Sequence, residues 1–315
     1  NMMDLYSIGE MVIDMIPGSE PASYLRRAGG APANVAIAVV KNGLKASLTC
    51  KVGNDDFGRF LMDTLKKNRV KQNVPVLTDQ AITTIAFVTL QEDGERTFTF
   101  ARKPGADMLL SPDEVKESDI ADSVIVHAGS CSLSANPVAE ATIKALKTGH
   151  DLRKLVSFDV NYRNLMWKDN QQACADAVKA ILPYVDILKI SEEEVEMLGG
   201  QENIQNLMKE NQIIMVVETL GSEGAVAYLG DDVIRVAGHK VKAVDATGAG
   251  DAFWGAFLSY LRIQGVEKST DLTAKIVENA MEYGNISGCI CVQSKGAIDS
   301  LPTREAIEAY IRENK

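Results

Sequence analysis

The sequence predicts an α/β fold: a mainly parallel central sheet covered by helices on both faces, with a small β-sheet lid. Two observations carry this. Short apolar or β-branched runs alternate with amphipathic helical stretches along most of the chain, the order that lays helices on both sides of a parallel sheet. Two segments, 11–28 and 83–102, break that alternation with β-rich runs and no helix. Taken in order, the strands fall at 5–9, 46–52, 124–128, 155–159, 187–190 and 213–218, each a short run dense in Val, Ile and Leu. Helical spacing is clearest at 35–41, 60–67, 138–147, 174–182, 252–261, 274–287 and 304–313. In the second irregular segment, Glu92-Asp93-Gly94 is a hairpin turn signal between two β-rich runs. The lid is therefore expected from 11–28 and 83–102, over the mouth of one domain spanning 1–315, since no internal repeat, low-complexity tract or linker divides the chain. Ligands of such sheets collect at the carboxyl ends of the strands.

Composition narrows the class of partner. A formal net charge of −10 and a pI near 5.0 disfavour nucleic acid and anionic membrane, which require a basic face. No apolar run reaches the roughly 20 residues of a membrane helix. The five cysteines (Cys50, Cys131, Cys174, Cys289, Cys291) form no zinc-type pair and read as reduced thiols of a cytoplasmic protein. His127, His150 and His239 are too dispersed for a metal cluster.

The stretch Ala243–Phe253 places Gly248, Ala249 and Gly250 where an apolar helix begins. Free backbone N–H groups and the positive end of the helix dipole point outward there, and small side chains let an anion approach closely: a phosphate seat. Asp251 in the first turn has a plain reading as a complement to the dipole. A second acid, Asp245, six residues earlier across a loop nearly free of side chains, favours the chemical one: an anion hole for a transferring phosphoryl group, with Asp251 taking or orienting the proton of an attacking hydroxyl.

A second constellation is Gly29-Gly30-Ala31-Pro32-Ala33-Asn34, which opens another apolar helix with glycine at the cap and proline early in the first turn. Asn34 sits one turn inside, where its amide needs a partner. A polyol hydroxyl brought against side-chain-free Gly29 and Gly30 would supply one, and Asp14 could accept from further hydroxyls.

Together these segments resemble the PfkB (ribokinase-like) carbohydrate kinases, which carry a GG-x-x-AN element early and a D-T-x-GAGD element late. Finer stretches resemble the bacterial fructokinase branch: GGAPANVA at 29–36, AFVTL at 86–90, PGADMLL at 104–110, the 93–96 and 158–163 segments, KISEEE at 189–194 and KGAIDSLPT at 295–303. There is no GxxxxGK[ST] loop and no protein-kinase motif set. The resemblance implies a ribokinase-like three-layer sandwich and transfer of the ATP γ-phosphoryl group to a primary hydroxyl of a ketohexose, fructose first. It implies Asp251 as base, Gly248, Ala249 and Gly250 as anion hole, and Asp14, Gly29, Gly30 and Asn34 in the sugar pocket. Arg102 and Arg163 match basic positions that reach substrate or phosphate, and each has a plain alternative as an ion-pair partner. The nucleotide would lie along Thr219, Gly221, Ser222 and Gly224, with Lys189, and beside Asn279 and Gly284.

Ser191-x-x-Glu194 occupies the place of the family's NxxE element, tied to magnesium and phosphate, with serine for asparagine. It is equally a capping box, and both readings stand: Glu194 caps, and it orders waters around Mg²⁺. Asp245, Thr247, Gly296 and Ser300 match monovalent-cation positions, which makes potassium a candidate, although Ala246 stands where threonine is usual. The same motifs serve 2-keto-3-deoxygluconate kinases and aminoimidazole riboside kinases, and a catalytically silent sugar- or nucleotide-binding regulator is the reading from another class. The implied partners are a sugar and ATP, and a homodimer pairing two lids would cover exposed strand edges.

Overall fold

The computed structural model describes residues 2–92 and 96–315, so the expected turn around 93–94 and the 93–96 segment lie largely outside it. In chain order the elements are β1 (Met3–Ile8), β2 (Val12–Pro17), β3 (Tyr24–Gly29), α1 (Ala31–Lys41), β4 (Ala46–Thr49), α2 (Asp56–Lys67), β5 (Lys71–Gln72), β6 (Ile85–Leu90) and β7 (Arg96–Ala101). Next come α3 (Glu117–Ala121), β8 (Ser123–Gly129), α4 (Val138–Asp151), β9 (Leu155–Asp159), α5 (Gln171–Ile181), β10 (Ile187–Ser191), α6 (Ile204–Asn211) and β11 (Met215–Thr219). The chain ends with β12 (Gly224–Leu229), β13 (Asp232–Ala237), α7 (Ala249–Ile263), α8 (Ala274–Cys291) and α9 (Arg304–Glu313).

The large sheet runs β13-β12-β11-β10-β9-β8-β1-β4-β5, and the small one β3-β2-β6-β7. All pairs from β5 to β11 are parallel, and only β12 and β13 join antiparallel. The parallel strands are apolar on both faces, as burial under two helix layers requires. Alternate residues therefore feed two cores. Leu5, Ile125, Met215 and Val217 join one cluster with Ile37, Trp254 and Phe257 of the α1 and α7 layer. Tyr6, Val126, Phe158 and Val216 join the other with Val138, Leu146 and Val178 of α4 and α5.

Each expected strand and helix is present with shifted ends. The structure adds the short α3, α6, the edge strand β5 and the β12–β13 hairpin. Gly-Ala-Val-Ala at the start of β12 carries little β-propensity, and β13 is an edge strand whose residues are mostly exposed, so neither gives a strong sequence signal.

The small sheet is built from the two irregular segments. Ile13 and Ile85 carry the first core cluster into it. The Arg26 guanidinium lies 3.9 Å over the Phe60 ring of α2, and Arg27 pairs with Asp299 at 3.6 Å. Among the described residues no helix is long and apolar enough to cross a membrane.

Candidate active site

The site forms where α7 starts. Gly248 takes a left-handed conformation, φ 80°, that an L side chain adopts at a cost, and no side chain caps the helix. A Cβ on Gly248 would also fall 2.7 Å from the Ala297 Cβ. The first-turn backbone is thus left bare toward a cavity of about 560 Å³ lined by residues 246–251 together with Asp159, Arg163, Lys189 and Glu194. A second cavity, about 340 Å³, lies against the small sheet, and Asp251, Gly248, Thr247, Asn161 and Arg163 line both. Asp251, third residue of α7 and only 7 % exposed, therefore stands between the chamber at the start of α7, called the anion chamber below for its bare backbone N–H groups, and a second chamber.

Helix packing sets its partner. At Gly255 α7 lies so close to Ala38 of α1 that an added Cβ would collide with it. One turn earlier on each helix, the same crossing brings Asn34 Nδ2 to donate to Asp251 Oδ2 at 2.9 Å. The expectation that Asn34 needs a sugar hydroxyl is thus corrected in part: its NH₂ serves Asp251, and only its buried Oδ1, which has no partner, is left to accept from a ligand. Burial pushes the Asp251 carboxyl up to about 6, while the Asn34 bond favours the ionised form.

Two cations, Lys189 and Arg163, face this chamber among four carboxylates, Asp159, Glu193, Glu194 and Asp251. On neighbouring strands Lys189 sits directly opposite Asp159, and Nζ reaches Asp159 Oδ2 at 3.0 Å with both side chains buried. Burial opposes the charge on Lys189 and on Arg163, but the surrounding carboxylates outweigh it: Asp159, Glu194 and Asp251 around Lys189, and Asp251, Asp159 and Glu194, with the Cys131 thiol, around Arg163. Glu194 realises the capping reading: Oε1 accepts from the Ser191 N–H at 2.8 Å, and the Glu194 N–H donates to Ser191 Oγ at 3.3 Å. Oε2 accepts from the Tyr162 N–H at 2.6 Å, which ties the β9 and β10 loops together.

The second chamber gathers Asp14, Gly29, Gly30, Asn34 and Arg163, with apolar Val12, Val88 and Phe98 from the small sheet. Burial raises the Asp14 carboxyl to about 6, and its Oδ2 lies where a Cβ on Gly29 would stand. Arg102 does not join them. Its NH2 pairs with buried Asp107 Oδ2 at 3.0 Å, and its Nε reaches the same carboxylate, so Arg102 is an ion-pair partner, in a buried pair and not at the surface.

A third cavity, about 460 Å³, continues from the anion chamber along Thr219, Gly221, Ser222 and Gly224 to Phe253, Gly284, Asn285 and Gly288. Gly224, φ 104°, has no room for a Cβ against the Val236 carbonyl. Asn279 lies outside it. The lining residues share one face of α8, and Asn279 is half a helical rotation from Gly288. Asn285 lines the cavity instead.

The late loop closes around Asp245. Oδ1 accepts from the Thr247 N–H at 2.9 Å and Oδ2 from the Gly296 N–H at 3.0 Å, while Ser300 Oγ donates to the Lys295 carbonyl at 2.9 Å. Asp245 thus ties the Thr247 and Gly296 backbones together beside the first chamber, and Ser300 bonds within the second of these loops. Asp159, unassigned from sequence, is the further site residue, and only strand register brings it to Lys189.

The profile of the pfkB family carbohydrate kinases matches residues 2–304. The chain is 39 % identical over 309 residues to probable fructokinase-5 of Arabidopsis thaliana, covering 95 % of this chain and 94 % of that protein. The Xylella fastidiosa fructokinase structure with bound ATP superposes with a TM-score of 0.92 at 28 % identity, covering 99 % and 98 % of the two chains. A double mutant of the Vibrio cholerae fructokinase, in its fructose, ADP and potassium ion bound form, superposes at 0.85 with 32 % identity, covering 98 % of each chain.

Proposed function

The chain belongs to the pfkB family of carbohydrate kinases, and from that premise we propose that it transfers the γ-phosphoryl group of ATP to O6 of fructose, giving fructose 6-phosphate. The observation that carries the reading is the position of Asp251, buried and shared by two chambers, one suited to an anion and one to a polyol. The sugar lies against Gly29 and Gly30, held by Asp14, Asn34 and Arg163. The adenosine end of ATP lies along Thr219, Gly221, Ser222 and Gly224, and its phosphates reach Lys189 and the bare start of α7. Asp251 accepts the proton of the attacking hydroxyl, and the backbone at Gly248, Ala249 and Gly250 with Arg163 faces the charge that develops on the transferring group. The small sheet, as a lid from 11–28 and 83–102 over a single 1–315 kinase domain, excludes water from the transfer.

The donor set fits magnesium. Asp159 and Glu194 offer hard carboxylate oxygens to the anion chamber, and an ion that keeps several waters needs few protein ligands. Mg²⁺, when bound, neutralises phosphate charge. We place potassium at Asp245, Thr247, Gly296 and Ser300, where the Asp245 carboxylate already draws the Thr247 and Gly296 backbones together. A homodimer through the lids covers the outer strands β3 and β7, on which Tyr24, Leu25 and Phe98 are 48 %, 50 % and 44 % exposed. Five free, buried cysteines suit a cytoplasmic enzyme.

The sugar is a neutral one. A carboxylate sugar needs cations to replace its water, and with Arg102 committed to Asp107 the second chamber holds Arg163 against Asp14 and Asp251. Fructose is expected to show kcat/KM at least about tenfold above 2-keto-3-deoxygluconate, roughly 1.4 kcal/mol in transition-state binding. An ADP-coupled assay with both sugars, run in potassium and again in sodium, checks it. Faster turnover in potassium is expected, and preference for the acid sugar would overturn the substrate.

A further inference from the structure

Glu10 lies midway between the end of β1 and the start of β2, so it stands at the joint between the large and small sheets. It is 5 % exposed and lines the sugar-side cavity beside Gly30, whose missing Cβ would strike the Glu10 carbonyl. Its Oε2 is buried with no hydrogen-bond partner, and the one bond its carboxyl draws comes from its own backbone N–H. Leaving a buried polar oxygen unpaired is costly, and a site that keeps one has a use for it when occupied.

Arg102 is the cation that favours a charge on Glu10, and it is already engaged. It is forked onto Asp107, and Asp107 itself and Asp251 disfavour a further negative charge. Across the cavity stand Asp14, another acid, and Arg163, which faces Asp251, Asp159 and Glu194. Burial, with these neighbours, pushes the Glu10 carboxyl up to about 8. A neutral carboxylic acid carries one O–H donor and retains acceptor capacity, the pair of functions that neighbouring hydroxyls of a polyol engage.

We infer that Glu10 is a further sugar-contacting, specificity-determining residue, which grips a neutral polyhydroxylated sugar through the donor and acceptor of an un-ionised carboxylic acid. This rests on the sugar-kinase reading of the same cavity. It implies that the sugar binds the protonated enzyme, so affinity for sugar falls as pH rises past the point where Glu10 ionises, while affinity for ATP does not.

The test measures fructose KM and ATP KM from pH 6 to pH 9.5 for the parent, Glu10→Gln and Glu10→Leu. In the parent, fructose KM is expected to be about twice its pH 6 value at pH 8 and about thirtyfold above it by pH 9.5. In Glu10→Gln, whose amide keeps a donor and an acceptor, it is expected to be a few-fold higher and flat. In Glu10→Leu it is at least about tenfold higher at every pH, with ATP KM within about twofold in all three. Parallel pH profiles in parent and Gln variant, or equal shifts in both KM values, overturn the inference. Denaturation of the ligand-free proteins supplies a second readout that needs no substrate. The folded state holds its proton to about pH 8 and the unfolded chain releases it in the ordinary carboxylate range, so the parent loses stability as pH rises from 6 to 9. The Gln variant does not, and its advantage grows over that interval. A constant gap between them would show that Glu10 is not the neutral acid and overturn the inference even if fructose proves to be the wrong sugar. A parent that leaves fructose untouched while the gap widens overturns the substrate reading alone.

Discussion

Asp251→Asn lowers kcat by at least about 10²-fold and leaves ATP KM within a factor of about two. The amide has the shape of the carboxylate and keeps a bond with Asn34 after that amide turns, so the α1–α7 crossing and the anion chamber survive, and only the proton acceptor is lost. The pH dependence gives a second sign. Burial holds the Asp251 carboxyl at about 6, so parental kcat/KM rises with pH through that value as the base ionises and holds until Glu10 ionises near pH 8, whereas the variant lacks the rising limb. The remaining turnover comes from the helix start and the phosphate-facing cations, which act without Asp251. Steady-state kinetics with nucleotide titration checks both, and turnover within a few-fold of the parent would remove Asp251 as the base.

Lys189→Met carries the second large effect, and it falls on stability as well as on activity. The Lys189–Asp159 pair is buried in the middle of the large sheet, with side chains 8 % and 4 % exposed. Removing the ammonium leaves Asp159 charged beside Glu194 and Asp251, and breaking such a pair from one side costs about 3–5 kcal/mol. Chemical denaturation is expected to show that loss, with ATP KM rising as the anion chamber turns acidic. Asp159→Asn added to the variant removes the stranded charge and is expected to restore most of the stability without restoring ATP affinity. If the single variant is as stable as the parent, the pair does not hold the β9–β10 register.

What the sequence disclosed depended on whether a residue's role is local. Gly248, Ala249, Gly250 and Asp251 make their site within one helix turn, and Gly29, Gly30 and Asn34 within another, so contiguous residues sufficed to place both. Partners across the fold were not legible in this way. Arg102 pairs five residues onward with Asp107 because a loop folds back, and no spacing rule separates that from a reach into the cavity. Asn279 lies on a helix that lines the third cavity, but a cavity-facing position is fixed by helical phase, which the packing of α8 decides. Asp159 and Lys189 each lay in a stretch noted for its resemblance, yet their pairing is a fact of parallel register between β9 and β10. Asn34 shows an intermediate case: an amide in an apolar helix announced a buried partner, and the close crossing at Gly255 determined that the partner is Asp251. The β12–β13 hairpin stayed hidden because small residues and an exposed edge give weak patterning.

The central claim is that a phosphoryl group crosses Asp251 from the anion chamber to a sugar hydroxyl in the second. Phosphorus NMR of the reaction of this protein with ATP, Mg²⁺ and fructose tests it most directly. The expected product is a phosphate monoester whose phosphorus couples to the protons on C6, accumulating in step with ADP. ADP accumulating with free phosphate and unchanged fructose, or phosphorus coupled to the protons on C1, would contradict the account.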